Sequence, residues 1–164
     1  MGKELANGLI DEFEVKTIPC MAQPPTITHI GMAALLPHAE NEIELVQTSN
    51  KKLRIKIGDN ILKDRSDRLR YLGDVINGSF LSLKLNQLSK PSKKIREEVE
   101  GEDFIILTST EIDRWGESGE GDENIRIYMD DVLERLGKAI RFLAIFGVTN
   151  LIIATDHGLS LIHI

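Results

Sequence analysis

The sequence has little of what disulfide-stabilised or membrane-spanning proteins require. It contains a single cysteine, Cys20, so no disulfide can form within the chain, and this usage fits a reducing cytoplasm. No apolar run reaches the roughly 18 residues of a membrane-spanning helix. The first 13 residues carry charges within an amphipathic pattern, which is unlike a secretory signal. We therefore expect a cytoplasmic protein without membrane contact.

Aromatic residues and positive charge are also scarce. Aromatics make up 5% of the 164 residues, whereas 41% are hydrophobic, mostly Leu, Ile and Val, as is typical of an α/β domain. The net charge of -6 argues against strong non-specific binding of nucleic acid through a basic face. This net charge is compatible with binding of a phosphate ester or nucleotide at a metal site, because a bound cation reverses the sign of the local electrostatic field.

The C-terminal half has the pattern of a strand, a helix and a second strand. DFIILTS (residues 103–109) and VTNLIIATD (residues 148–156) are continuous apolar runs, which predict buried strands of a parallel sheet. Between them, apolar residues recur at helical spacing from Ile125 to Leu143, and Gly147 follows. The arrangement predicts a βαβ unit.

The N-terminal half predicts further elements of both kinds. Helices are expected over residues 1–13, just after Thr28, over 64–76 and after Ser92, which is a candidate cap. Strands are expected over residues 14–21, 44–47 and 52–57, while FLSLKL (residues 80–85) suits either a strand or a helix. Together the patterns predict an α/β fold with a parallel sheet that is covered on both faces.

Three polar clusters follow predicted strands. They are PPTITHIG, STEIDRWGE and TDHG. In open α/β sheets, ligands bind at the carboxyl ends of the strands, so we expect these clusters to meet at one edge of the sheet.

Thr28 lies at the predicted start of a helix. One interpretation is an N-cap, which is a common role for threonine. The other is a nucleophile that attacks a phosphate held at the helix N-terminus, with a divalent metal activating the hydroxyl.

The other two clusters offer metal ligands. Asp113 and Glu117 are four residues apart, with Glu111 nearby, and carboxylate oxygens suit Zn²⁺, Mn²⁺ or Mg²⁺. Asp156 and His157 end an apolar run, where Gly158 can turn both side chains toward one cavity. A solvated acidic loop and an Asx-type turn are the structural alternatives, and Glu120 fits the former.

In this order and spacing, PPTITHIGMAALLP, TEIDRWGESGE and IIATDHG resemble the PglZ domain of bacteria, a member of the alkaline phosphatase-like superfamily. The resemblance implies an alkaline phosphatase-like core, which is a three-layer α/β/α fold with a mostly parallel sheet. It also implies a metal-dependent phosphatase or phosphodiesterase with two metal ions, usually Zn²⁺. By motif, Thr28 falls on the nucleophile, Asp156 and His157 on ligands of the activating metal, and Asp113 on a ligand of the second. Glu117 stands where many relatives have His, so this position departs from the pattern.

The resemblance also implies a setting and a boundary. Such domains occur in phage-defence systems, with other defence proteins as partners, and attached to response regulators; the GMAALLP stretch favours phage defence. We expect residues 1–158 to form a partial domain, truncated at both ends, and residues 159–164 to be a tail of different origin. The family's first strand and a downstream His ligand are missing, so these 164 residues alone are expected to be inactive.

Two other classes compete with the hydrolase. A non-catalytic interaction or scaffold domain could retain the fold and some motifs without binding metal. A doubly wound nucleotide-binding module is disfavoured, because no Gly-rich phosphate loop follows a strand.

Overall fold

The computed structural model describes residues 2–48, 51–111 and 122–155. The chain divides into two compact units: unit 1 comprises Met1–Pro19 and Phe80–Leu151, and unit 2 comprises Cys20–Ser79 and Ile152–Ile164. The described helices are α1 (Gly2–Asn7), α2 (Thr28–Ala34), α3 (Ala39–Glu42), α4 (Arg65–Ile76), α5 (Leu85–Leu88), α6 (Lys93–Gly101) and α7 (Asp122–Ile145). The described strands are β1 (Ile43–Gln47), β2 (Leu53–Ile57), β3 (Asn60–Leu62), β4 (Leu81–Lys84) and β5 (Ile105–Thr108).

Unit 2 is built on an antiparallel sheet in the order β1-β2-β3. From Arg54 onward, strand β2 alternates between half-buried and buried residues, with Ile55 and Ile57 each 1% exposed. Because successive side chains of a strand point to opposite faces, these two isoleucines share the covered face. They form one core with residues of the neighbouring helices and of β3: Ile30, Ala33, Ala39, Leu62 and Tyr71.

Local capping signals define α4. The side chain of Asp64 accepts a hydrogen bond of 3.0 Å from the amide of Asp67, which satisfies one of the free N–H groups of the first turn. At the other end, Asn77 adopts a left-handed conformation with φ of 51°. The helix predicted over residues 64–76 is confirmed.

Unit 1 contains a parallel pair, β4 and β5, in which Leu81 pairs with Ile105 and Lys84 with Thr108. A parallel pair requires a crossover, and α5 and α6 supply it. The ambiguous FLSLKL stretch is divided, since β4 ends at Lys84 and α5 begins at Leu85. The cap predicted at Ser92 is confirmed, because its hydroxyl accepts a hydrogen bond of 3.3 Å from the amide of Ile95.

Helix α7 buries one stripe of its surface in unit 1. Val132, Ala139 and Leu143 are at most 3% exposed and join the core that also contains Leu83 and Leu85. The helix ends in a Schellman motif: the amide of Gly147 donates to the carbonyl of Ala144 at 3.2 Å, and that of Val148 to Leu143 at 3.0 Å. Gly147 has a φ of 93°, a conformation that glycine adopts without steric cost. The predicted long amphipathic helix and its end are confirmed.

Two predicted strands are wrong. Residues 14–21 take no regular secondary structure, and Met21 is 94% exposed. The described residues of the predicted strand 148–156 also form no strand, and Ile152 is 93% exposed instead of buried. An apolar run is compatible with a strand, but a strand forms only where a partner strand supplies its hydrogen bonds.

The structure confirms a mixed α/β fold with small sheets. One sheet is a parallel pair and the other has three antiparallel strands. The three-layer arrangement with a mostly parallel sheet stays a prediction. No described helix is both long enough and apolar enough to cross a membrane.

The core of unit 2 provides a matched test of burial. Ile55 and Leu45 lie opposite each other on β2 and β1, but Ile55 is 1% exposed and Leu45 is 47% exposed. We expect Ile55→Ala to lower the free energy of unfolding by about 2–5 kcal/mol, because it leaves a cavity. Leu45→Ala should cost about 1 kcal/mol or less. Denaturant unfolding followed by circular dichroism measures both, and equal losses would contradict the described difference in burial.

An ion pair in unit 1 predicts a pH dependence. The guanidinium Nε of Arg141 on α7 lies 3.0 and 2.7 Å from the two carboxylate oxygens of Glu12. The hydrogen bond from Arg141 lowers the pKa of Glu12 below its ordinary value of 4.5, while desolvation opposes the change. Because the folded pKa is the lower one, the stabilisation is present above about pH 4.5 and is lost as the pH falls through the folded pKa.

We therefore expect the free energy of unfolding to fall more steeply between about pH 5 and pH 3 in the wild type than in Glu12→Gln. Glu14→Gln, which changes an exposed glutamate two residues away, should retain the wild-type slope. Urea unfolding at each pH measures the slopes. Identical slopes for all three proteins would show that the Glu12–Arg141 pair does not contribute to acid sensitivity.

Candidate functional site

Thr28 is the first residue of α2, and its side chain is exposed. The N-cap is Ile27, whose backbone is extended (φ -119°, ψ 144°) and whose side chain makes no capping hydrogen bond. The interpretation of Thr28 as the N-cap is therefore wrong: it lies one position inside the helix.

Packing on the opposite face holds α2 in place. Ile30 and Ala33 are both 0% exposed, and at about 100° per residue they lie on the side of the helix away from Thr28. Before the helix, the amide of Ile27 donates to the carbonyl of Pro25 at 2.8 Å. Thr28 thus lies at the surface of unit 2, on a helix whose opposite face is buried.

His29 is a neighbouring polar residue that the motifs do not select. Its ring is half-buried, and Nε2 is shielded from solvent with no hydrogen-bond partner among the described residues. The only sequence signal for it is its place beside Thr28 within PTITHIG.

In unit 1, polar side chains gather after the carboxyl end of β5. The hydroxyl of Thr108 donates to the carbonyl of Leu83 at 3.3 Å, which joins this end of β5 to β4. Three residues further on, Glu111 forms an ion pair with Arg135. Nη1 of Arg135 donates a hydrogen bond of 3.0 Å to Oε1, and Nη2 lies 2.7 Å from Oε2, which has no aligned hydrogen-bond partner among the described residues. Arg135 Nε also lies 2.9 Å from a carboxylate oxygen of Asp131, one turn earlier on α7.

Sequence reasoning missed Arg135. The spacing of Asp131 and Arg135 indicates a pair on one helix face, which is a weak signal because such pairs are common on exposed helices. Nothing in the sequence connects Arg135 with Glu111, since 24 positions separate them. The contact also gives Glu111 a defined role as the partner of an arginine.

The four proposed metal ligands, Asp113, Glu117, Asp156 and His157, lie outside the described residues. Thr28 belongs to unit 2 and Glu111 to unit 1, and each unit is described by itself. Over residues 2–48, 51–111 and 122–155, no group of three or more His, Cys, Asp or Glu side chains could hold a metal ion. The convergence of the three polar clusters stays a prediction.

Comparison with protein families identifies the class as alkaline phosphatase-like. The model of the alkaline phosphatase-like PglZ domain of the BREX system matches residues 1–161, which is essentially the whole chain. The chain therefore belongs to the PglZ domain family, and the resemblance carried by its three motifs is confirmed. Comparison with curated proteins and with solved structures gave no match.

Family membership indicates a phosphoesterase-like fold and a setting in phage defence. The alkaline phosphatase-like class generally uses divalent metals and suggests a phosphoester as substrate.

Proposed function

We propose that this chain carries the nucleophile and metal ligands of a phosphoester hydrolase domain that acts in phage defence. The observation that carries the proposal is the match of the PglZ family model to residues 1–161. The mixed α/β fold supports it, as does the exposed position of Thr28 at the start of a helix whose opposite face is buried. The substrate class is a phosphate ester or nucleotide.

Thr28 is the nucleophile in this proposal. Its oxygen forms a bond to phosphorus as the bond to the leaving alcohol breaks, and the hydroxyl proton is given up. Water then cleaves the threonine phosphate ester, which restores the hydroxyl and releases phosphate or a phosphomonoester. The buried face of α2 holds the helix in place, and Thr28 lies on the exposed side.

Asp156 and His157 would hold one cation, and Asp113 and Glu117 would hold a second. This donor set of carboxylate oxygens and one imidazole nitrogen suits Zn²⁺, and also Mn²⁺ or Mg²⁺. When bound, two such ions supply positive charge that favours the ionised hydroxyl and balances the charge of the transferred phosphoryl group.

The proposal includes the finer fold and the cellular setting. We propose a three-layer core with a mostly parallel sheet, in which the polar residues after Thr108 follow the carboxyl end of a strand, where open α/β sheets bind ligands. We place the protein in the cytoplasm, where its partners would be other defence proteins. Its net charge of -6 argues against non-specific capture of nucleic acid.

The nucleophile is tested by Thr28→Ala in the complete protein. Turnover of an aryl phosphodiester should fall by at least about tenfold, or 1.4 kcal/mol of barrier, because the variant lacks the proposed nucleophile. Thr26→Ala, a change to an exposed threonine of the same motif, should retain wild-type turnover. Retention of more than about a tenth of the activity by Thr28→Ala would exclude Thr28 as the nucleophile.

The metal site is tested by zinc stoichiometry. We expect the complete protein to bind about two zinc ions, and Asp113→Asn and Asp156→Asn each to lower that number. Glu120→Gln, a change to an acidic residue assigned to the solvated loop, should leave it unchanged. In an experimental structure, the Asp113 and Asp156 carboxylates should lie within about 12 Å of each other. Absence of bound metal together with absence of turnover would favour the scaffold interpretation.

A further inference from the structure

The stretch KKLRIK (residues 51–56) begins a basic segment that the proposed chemistry does not use. Residues 51–70 contain eight Lys or Arg residues and three Asp, so their charge is +5 within a chain whose net charge is -6. A local charge of the opposite sign to the rest of the chain is a signal for a charged partner. The first four of these cations lie in β2 and in the turn before it.

The pleat of β2 separates its cations from the core of unit 2. Arg54 and Lys56 alternate along the strand with the buried Ile55 and Ile57, so they point to the opposite face of the sheet. Lys52 precedes Arg54 by two residues and continues this alternation. We call this opposite side of the sheet the outward face. The register of the three strands gives it six described members: Glu44, Val46, Lys52, Arg54, Lys56 and Ile61.

The outward face has three cations and one carboxylate. The ammonium of Lys56 lies 3.5 Å from the carboxylate of Glu44, and the two side chains are 31% and 64% exposed, so this pair contributes little. The guanidinium of Arg54 donates to the carbonyl of Leu53 at 3.3 Å, which leaves its positive charge uncompensated by that contact. Lys52 is exposed. The charge of this face therefore favours an acidic ligand.

The spacing of the cations fits an extended peptide. Alternate residues of a strand lie about 6.6–6.8 Å apart, and an extended segment with acidic side chains at alternate positions repeats at the same distance. Val46 and Ile61, which is 42% exposed, add apolar surface that a protein segment can cover. Nucleic acid fits less well, because its dense negative charge is repelled by a chain with a net charge of -6.

We propose that the outward face binds an extended acidic segment of a partner protein, with carboxylates at alternate positions meeting Lys52, Arg54 and Lys56. The inference does not depend on the proposed phosphoester chemistry. Thr28 lies on α2, and that helix contributes Ile30 to the core on the covered face of the sheet. The acidic segment would therefore bind on the other side of the sheet from the helix that carries Thr28.

Binding is measured by fluorescence anisotropy with the full chain and a labelled peptide of about eight residues in which glutamate alternates with threonine. A peptide with glutamine in place of glutamate should not bind. A peptide of the same composition with its glutamates grouped at one end should bind at least about threefold more weakly, because its carboxylates miss the spacing of the cations. Raising the salt concentration from about 50 to 200 mM should weaken binding of the alternating peptide.

Variants with matched charge locate the binding surface. The double variant Arg54→Gln/Lys56→Gln should lower the affinity for the alternating peptide by at least about fivefold. Lys93→Gln/Lys94→Gln removes the same charge from α6, where the two lysine side chains are 91% and 83% exposed, and should change the affinity by less than about twofold. Lys51→Gln/Lys52→Gln alters only the exposed turn before β2 and should lower it by at least about threefold, so the test does not depend on the folding of the first variant.

Four results would overturn the proposal. The alternating peptide does not bind, or the variants on β2 and on α6 lose affinity equally, which would show only a general attraction between charges. Duplex DNA of the same total charge binds more tightly than the peptide and loses affinity in Arg54→Gln/Lys56→Gln, which would assign the outward face to nucleic acid. Sedimentation shows self-association that the same double variant abolishes, which would assign the face to a second copy of the chain.

Discussion

Burial of one stripe of α7 is the interaction on which unit 1 depends. Val132, Ala139 and Leu143 enter a core shared with the parallel strands and the helices between them. A fully buried side chain of this size contributes about 1.5–3 kcal/mol relative to exposure, so the stripe outweighs the single ion pairs on the helix surface. Because the stripe fixes the rotation of α7, it also decides which of its arginines can reach partners outside the helix.

Helix α7 shares a core with the parallel pair β4–β5, and polar residues follow the carboxyl end of β5. Half-buried apolar residues of both strands, including Leu81, Ile105 and Leu107, pack against the core. Beyond Thr108 the chain leaves the sheet and meets Arg135 through Glu111. The proposed metal ligands Asp113 and Glu117 thus come after the last hydrogen-bonded residue of β5 in the sequence. The carboxyl ends of strands are where open α/β sheets bind ligands.

Elements with strong local signals could be predicted from the sequence. Helix α4 has a capping aspartate, α6 a capping serine, and α7 an unbroken apolar stripe and a terminal glycine. The hairpin of β1 and β2 follows from two alternating runs separated by a polar turn. The strands expected over residues 14–21 and 148–156 had no such signal beyond an apolar composition. At the candidate site, position alone predicted Thr28 as an N-cap, whereas the structure places it one residue inside α2.

The sequence by itself determined the family and the α/β class. These properties follow from motifs and periodicities, which are local and can be recognised without knowing which distant residues are in contact. Only the tertiary structure decided that Ile152 is exposed, that Leu81–Lys84 pairs in parallel with Ile105–Thr108, and that Arg135 holds Glu111. Each of these depends on a partner far along the chain. A side chain's neighbours across such a distance are set by packing and hydrogen bonding in the folded protein, and no short stretch of sequence encodes them.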